Sequence, residues 1–310
     1  MPEDKRKKLC FVIPTKDRPA ELERLLNSII NQDVLPSQIV IVDGGEPGIK
    51  NIADKFPRLP IDYMRVLPPG LTRQRNAGLN AVRADMDLVG FLDDDVVLEP
   101  GCIKNLLDFW GHAAADIGGT GLNIIDNTYP NKPAWFFKLF FIRDNNPGRI
   151  LKSGRSVPYC PARESHKVQW LCGGATVWLK KVFEKFTFDE WYSAWGIGDD
   201  VDFSYRVGRE YSFMVAADAK VRHIETGIPP ERQYMRAYIA TMNNMYFADK
   251  HAEFSKILSA WSFLGQGFAL MIQGIIKSDK SSLKRGRGHV VAALRGLLFG
   301  VQQVERHVKN

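Results

Sequence analysis

The sequence predicts an α/β protein, a mixed and mainly parallel sheet flanked by helices, with a helical extension at the C-terminus. Three observations predict it. Short apolar runs alternate with helix-period segments through the first half of the 310-residue chain, the pattern of βαβ units. These runs end in breakers: a proline, a Gly–Gly pair or a row of aspartates. Past about residue 253 the strand pattern gives way to two helical stretches.

Leu9–Pro14 (LCFVIP) reads as the first strand, closed by Pro14. Pro19 opens a helix in which Leu22, Leu25, Leu26, Ile29 and Ile30 recur at helical spacing. Gln38–Asp43 (QIVIVD) is a second buried strand, ended by Gly44–Gly45. Ile61–Leu67 predicts a third strand, and Thr72–Ala84 a helix with Thr72 as its cap. Leu88–Leu92 is a fourth strand that runs directly into Asp93-Asp94-Asp95.

Residues 126–165 break the alternation. Their aromatic block (Trp135-Phe136-Phe137, Phe140-Phe141) and the turn signal Asp144–Gly148 predict an insertion or mobile loop near the site. Strand-like residues resume over Val168–Leu179, interrupted by Gly173-Gly174. A helix follows from near Asp199, then strands around Phe213–Ala216 and Lys220–Ile224, then a helix over about Glu231–His251. One domain is expected over 1–252, with halves at 1–125 and 126–252, and a tail over 253–310.

In that tail, Ile257–Ile276 is twenty residues without a charge. Ser259, Ser262, Gln266 and Gln273 lower its hydrophobicity, which predicts a packed or interfacial helix rather than a span. A second helix is expected around His289–Val304.

The net charge of +7 points to nucleic acid only until it is located. Residues 277–310 hold eight Lys/Arg against two acids, so six of the seven charges lie there and the body is near neutral. No nucleic-acid partner is expected. Cys10, Cys102, Cys160 and Cys172 are scattered, without metal-ligand or disulfide spacing, and the basic N-terminus lacks a signal-peptide core. A reduced, cytoplasmic protein follows, with its tail suited to the inner face of the cytoplasmic membrane. The oligomeric state stays open, a homo-oligomer included.

Two acidic clusters carry the chemistry. Asp93-Asp94-Asp95 sits where ligands bind in open α/β sheets, at the carboxyl end of a strand. Three adjacent carboxylates repel unless a cation neutralises them, and Mg²⁺ or Mn²⁺ shared with substrate phosphates would do so. A solvated acidic turn is the plainer alternative. In Gly196-Ile197-Gly198-Asp199-Asp200-Val201-Asp202, carboxylates open a helix whose dipole keeps them ionised, as a general base requires. Ordinary first-turn acids would look the same. Trp191, Tyr192 and Trp195 either stack on a bound ligand or pack the core.

Taken in order, these pieces resemble the inverting glycosyltransferases of family 2, of the non-processive bacterial type, over about Leu9 to His251. The resemblance is carried by the Pro14-Thr15 strand, Asp43, Arg75-Asn76-Ala77-Gly78, Asp93-x-Asp95, Gly173-Gly174, Asp199-Asp200 with Arg206, and His223. It implies the Rossmann-like GT-A fold, with 1–125 as the nucleotide-binding half and 126–252 as the acceptor side. Pro14, Thr15, Asp43, Arg75, Asp93 and Asp94 would bind the nucleotide-sugar, with Asp43 near the base. Asp95 and His223 would bind the metal, and Asp200 would be the catalytic base beside Asp199. Trp191 and Trp195 are the acceptor-side candidates.

The implied activity is hexosyl or deoxyhexosyl transfer from a nucleotide diphosphate-sugar to a saccharide or lipid-linked saccharide, as in polysaccharide biosynthesis. The sequence departs from the family pattern twice. The usual Glu-Asp is Asp199-Asp200, and the processive Gln-x-x-Arg-Trp ends in Ala237 after Gln233 and Arg236. A sugar nucleotidyltransferase would need a glycine-rich loop where Thr15-Lys16-Asp17-Arg18 stands, and a non-catalytic membrane adaptor would leave the acidic clusters unused.

Overall fold

The computed structural model describes residues 7–126, 135–192, 195–224, 227 and 229–304. Four strands, β1 (Leu9–Thr15), β2 (Gln38–Asp43), β3 (Ile61–Arg65) and β4 (Leu88–Leu92), run parallel in the spatial order β3-β2-β1-β4. Every residue of β1, β2 and β4 is buried, which is why they read as unbroken apolar runs rather than alternating ones.

The sheet continues through β5 (Val96–Leu98), β6 (Ile117–Ile124), β7 (His166–Val168), β8 (Ala175–Leu179) and β9 (Ser212–His223). Its order from β4 is β4-β8-β6-β9-β5, with β7 also on β9. Pairing turns antiparallel at β4–β8 and again at β5–β9, so the sheet is mixed as expected.

Helices α1 (Pro19–Ile30), α2 (Lys50–Ala53), α3 (Leu71–Asn80), α4 (Cys102–His112) and α6 (Asp199–Val207) accompany the sheet. The expected Thr72 cap is a correction. The cap position is Gly70, and Thr72 is buried inside the first turn.

The two strands expected between Phe213 and Ile224 are one strand, β9. The break is a register shift against β6 between Leu122 and Asn123, where Asn123 Nδ2 donates to Ala217 O at 2.8 Å. β6 itself escapes sequence reading because glycines dilute its pattern. A Cβ on Gly119 would come within 2.5 Å of the Trp178 ring, so the residue's smallness is what admits that tryptophan.

The chain divides into two compact units. The first, Met1–Thr128 with Tyr159–Glu190 and Asp199–Glu225, holds the whole sheet. The second, Tyr129–Pro158 with Trp191–Gly198 and Thr226–Asn310, holds α5 (Trp135–Leu139), α7 (Gln233–Lys250), α8 (Lys256–Ile276) and α9 (Lys280–Phe299). The 126–165 region thus contributes a helix, α5, while residues 127–134 lie outside the described ones. α7 joins the C-terminal helices because Met245 packs in a core with Ala260, Phe263 and Ala293.

α9 starts nine residues before the expected His289. Asp279 caps it, accepting from Ser281 N at 2.9 Å and Ser282 Oγ at 2.6 Å. Gly288 lies inside α9, where a Cβ would meet Tyr234 O at 2.4 Å, so it marks close helix packing. Among the described residues no helix is long and apolar enough to cross a membrane.

Candidate active site

The strand order β3-β2-β1-β4 changes direction between β1 and β4, and ligands of open α/β sheets bind at such a switch, beyond the carboxyl ends of the strands. Thr15 ends β1, Asp43 ends β2 and Asp93-Asp94-Asp95 follows β4. A cleft of about 1000 Å³ lies elsewhere, lined by Lys7, Met86, Asp87 and Ile117 at the opposite strand ends, and includes none of the residues of the two acidic clusters.

Asp95 and His223, 128 positions apart, are brought together by the β5–β9 pairing, in which Val96 faces His223. Ile224 N donates to Asp95 O at 2.9 Å, and His223 Nε2 lies 3.0 Å from Asp95 Oδ1. The His223 backbone N–H is held by the Asp126 carboxylate at 3.0 Å. Burial works to raise the Asp95 carboxyl, but His223 and the Arg18 guanidinium outweigh it and hold it below its ordinary value.

Asp94 faces β1. Its Oδ2 accepts from Thr15 Oγ1 at 2.8 Å, and its Oδ1 from Arg18 Nη1 at 2.6 Å. Burial pushes its carboxyl up to about 7 against the pull of Arg18 and Thr15. Arg18 also donates from Nη2 to Asp95 Oδ2 at 3.0 Å, so one guanidinium spans two of the three aspartates.

The third aspartate joins the second acidic cluster. Arg75, buried midway along α3, donates to Asp93 Oδ1 at 3.2 Å and to Asp199 Oδ2 at 2.5 Å. Its guanidinium lies between these two carboxylates. Asn76 exchanges two hydrogen bonds with the Phe188 backbone, both 3.0 Å, which fixes α3 in place. A Cβ on Gly174 would come 2.3 Å from Asp93 Oδ2, so glycine is what lets that carboxylate lie against the strand.

Asp199 and Asp200 open α6 but meet different surroundings. Asp199 is buried against Arg75. Asp200, partly exposed, accepts from Gly173 N at 3.1 Å and Val201 N at 2.8 Å, and no salt bridge to it forms among the described residues. Burial raises the Asp200 carboxyl, opposed by the Gly173 N–H and by Arg75.

Asp43, expected near a nucleotide base, closes β2 in the interior. It is 0% exposed, and its oxygens accept from Gly45 N at 2.7 Å, Ile49 N at 2.8 Å and Tyr63 Oη at 2.5 Å. Its carboxylate organises the 44–49 loop from within. Gln74 Nε2 ties the same strand ends, donating to Thr15 O at 2.9 Å and Val42 O at 2.7 Å. In the second unit, Trp191 stacks on Tyr246 with centroids 3.7 Å apart, and Trp195 is half-buried.

Sequence reasoning missed Arg18, Gln74, Tyr63 and Asp126. Only Arg18 carried a signal: a basic residue just past a strand end, opposite an unexplained run of acids.

A model of the family described as glycosyl transferase family 2 matches residues 10–186, more than half the chain. The chain belongs to glycosyl transferase family 2. The match takes in every carboxylate of the first cluster, together with Arg18, Arg75 and Gly173-Gly174. Two curated relatives of this family 2 chain are similar in part. An uncharacterised glycosyltransferase, YwdF of Bacillus subtilis (strain 168), is 32% identical over 100 residues, 32% of this chain and 37% of that protein. The hyaluronan synthase of Pasteurella multocida is 26% identical over 250 residues, 70% of this chain and 24% of that protein. The chain therefore spans well under half the length of either.

Two solved structures share the fold. The mannosyltransferase PcManGT from Pyrobaculum calidifontis, in complex with GDP-Man and Mn²⁺, superposes with a TM-score of 0.58 at 14% identity, covering 96% of this chain and 88% of that one. GalNAc-T7 with UDP, GalNAc and Mn²⁺ gives a TM-score of 0.60 at 17% identity, covering 92% and 54%. The fold of this family 2 chain is the GT-A glycosyltransferase fold.

Proposed function

We propose that the chain transfers a sugar from a nucleotide diphosphate-sugar to an acceptor hydroxyl, by one in-line displacement that inverts the anomeric centre. The observation that carries this reading is the division of labour between Asp199 and Asp200. One is paired with Arg75 at 2.5 Å, and its neighbour, among the described residues, is hydrogen-bonded by backbone N–H groups and feels Arg75 without a hydrogen bond to it. A carboxylate so held keeps its proton-accepting oxygen oriented, and it takes the acceptor hydroxyl proton as that oxygen attacks.

The donor diphosphate would lie beyond β1 and β4, beside Thr15, Asp93 and Asp94, with Pro14 one residue before the end of β1. Asp43 acts indirectly, by shaping the 44–49 loop. The residues also fit a divalent ion. Asp95 and His223 offer an oxygen and a nitrogen donor 3.0 Å apart. No group of three or more ligating side chains exists among the described residues, so further positions would fall to diphosphate oxygens and water. When bound, Mg²⁺ or Mn²⁺ supplies Lewis-acid stabilisation of the departing diphosphate.

The nucleotides and Mn²⁺ named for the two structural neighbours are consistent with this chemistry. Trp191 and Trp195 stay the acceptor-side candidates, for a saccharide or lipid-linked saccharide. Family membership favours this reading over a nucleotidyltransferase or a non-catalytic adaptor.

The test is a thermal-shift panel of nucleotide diphosphates with and without Mn²⁺, on wild type and Asp95→Ala. One nucleotide should stabilise wild type only with the metal, by RT ln(1 + [L]/Kd), and the variant should lose that response. An unchanged response in Asp95→Ala would overturn the metal assignment.

A further inference from the structure

α8 is arranged inside out for a helix in water. Ser259, Ala260, Ser262, Gly265 and Gly267 are buried, while Ile257, Trp261, Phe268, Ile272 and Ile275 are 42–71% exposed. The exposed positions are four, seven, four and three residues apart, so they form one stripe along one face, about 27 Å long at 1.5 Å per residue. Beside it, Phe136, Phe140, Phe268, Ile272 and Ile276 line an apolar groove of about 420 Å³ that also includes Lys277. Phe140 stacks on Trp261 with centroids 4.5 Å apart, which joins α5 to this surface.

Packed against α8, α9 exposes a second stripe of different character. Lys280, Lys284, Arg287, Leu294, Arg295 and Leu298 recur at helical spacing, basic in its first turns and mixed with leucine later. Over 277–304, six Lys/Arg face one acid, Asp279, which is already the cap of α9.

An apolar stripe of this size in water calls for a cover. A second copy of the chain would bring an equally basic face against this one, and like charges repel. An anionic bilayer matches both features: acyl chains take the apolar side chains and phosphate headgroups take the lysines and arginines. No described helix is long and apolar enough to cross, so the contact lies in the plane of the surface. We propose that the exposed faces of α8 and α9 bind the surface of an anionic membrane, with a lipid chain seated in the Phe136–Ile272 groove. The inference stands apart from the donor-site reading, since none of these residues belongs to the acidic clusters.

Flotation of the full-length protein tests it, with vesicles of phosphatidylcholine alone and of phosphatidylcholine mixed with phosphatidylglycerol. Wild type should float with the mixed vesicles and be partly released by salt. Lys284→Glu/Arg287→Glu should lower partitioning on the order of thirty-fold or more. Phe268→Glu/Ile272→Glu should abolish it. All four positions are exposed, and an unchanged unfolding midpoint with unchanged donor hydrolysis would show that each variant stays folded. Wild type left in solution at low salt, or variants floating as well as wild type, would overturn the proposal. So would a dimer, seen by light scattering, that these substitutions dissolve while no vesicle is bound.

Discussion

Arg75 Nη1 lies 2.5 Å from Asp199 Oδ2, with both side chains buried, and this pairing separates two adjacent carboxylates into a structural one and an available one. Burial presses the Asp199 carboxyl upward, and the guanidinium is the first influence opposing it. An arginine keeps its proton in proteins, so the pair behaves as a fixed internal clamp.

Breaking that clamp from one side should cost more than removing it. Arg75→Met leaves Asp199 buried without its cation and is expected to lower stability by about 3–5 kcal/mol. Arg75→Met/Asp199→Leu should recover part of the loss, because neither charge is then stranded. Urea unfolding of both variants measures this. A single variant within about 1 kcal/mol of wild type would mean the clamp is not a stability element.

Arg18 bridges Asp94 and Asp95 at 2.6 and 3.0 Å, occupying oxygens that a divalent ion would use. Arg18→Gln is therefore expected to tighten Mn²⁺ binding without nucleotide, by roughly three- to tenfold for a partly exposed ion pair. Electron paramagnetic resonance of free Mn²⁺ during titration reads this directly. Unchanged or weaker binding would show that Arg18 does not compete with the ion.

His289 sets a pH dependence in the helical unit. Its ring packs beside Phe263, its Nδ1 lies 2.9 Å from Thr241 Oγ1, and burial, helped by Arg155 and Arg285, lowers its pKa from 6.5 to about 3. The folded chain therefore refuses a proton that the unfolded chain accepts below pH 6.5. Stability is full above that value and is lost as pH falls toward about 3, by about 1.4 kcal/mol per pH unit. His289→Gln should lack this component. Denaturant unfolding from pH 7 down to pH 4 should show the wild-type advantage shrinking, and parallel curves would contradict it.

Much of this architecture was legible because its signals are local. QIVIVD and LVGFL are strands to the residue, since burial on both faces leaves no other pattern for them. Asp95 and His223 meet as a pair, yet their contact rests on β5, three residues that no periodicity marks. Arg75 shows the opposite difficulty. Its place in a helix was plain, but its pairing is with Asp199, 124 positions away. Asp43 was visible as a strand end, whereas its three internal donors were not, because a turn and Tyr63 supply them. The full reach of α9 was hidden by glycines, which serve close packing as well as turns.

The raised Asp200 carboxyl has a kinetic consequence. Burial lifts it above 3.8, against the Gly173 N–H and Arg75. A general base acts ionised, so kcat/KM should rise with pH through that raised value and fall away below it. A profile flat through the acid range would separate Asp200 from the proton transfer.

The most direct test of the proposed chemistry is steady-state transfer, with donor affinity by calorimetry, for Asp200→Asn beside Asp199→Asn. Asp200→Asn should keep wild-type donor affinity while kcat falls roughly 10²–10⁴-fold, the contribution of a positioned general base. Asp199→Asn should show a smaller loss in kcat together with lower stability, because its partner is Arg75. Wild-type turnover in Asp200→Asn, or a larger loss of kcat from Asp199→Asn in a stably folded protein, would contradict the assignment of Asp200 as the base.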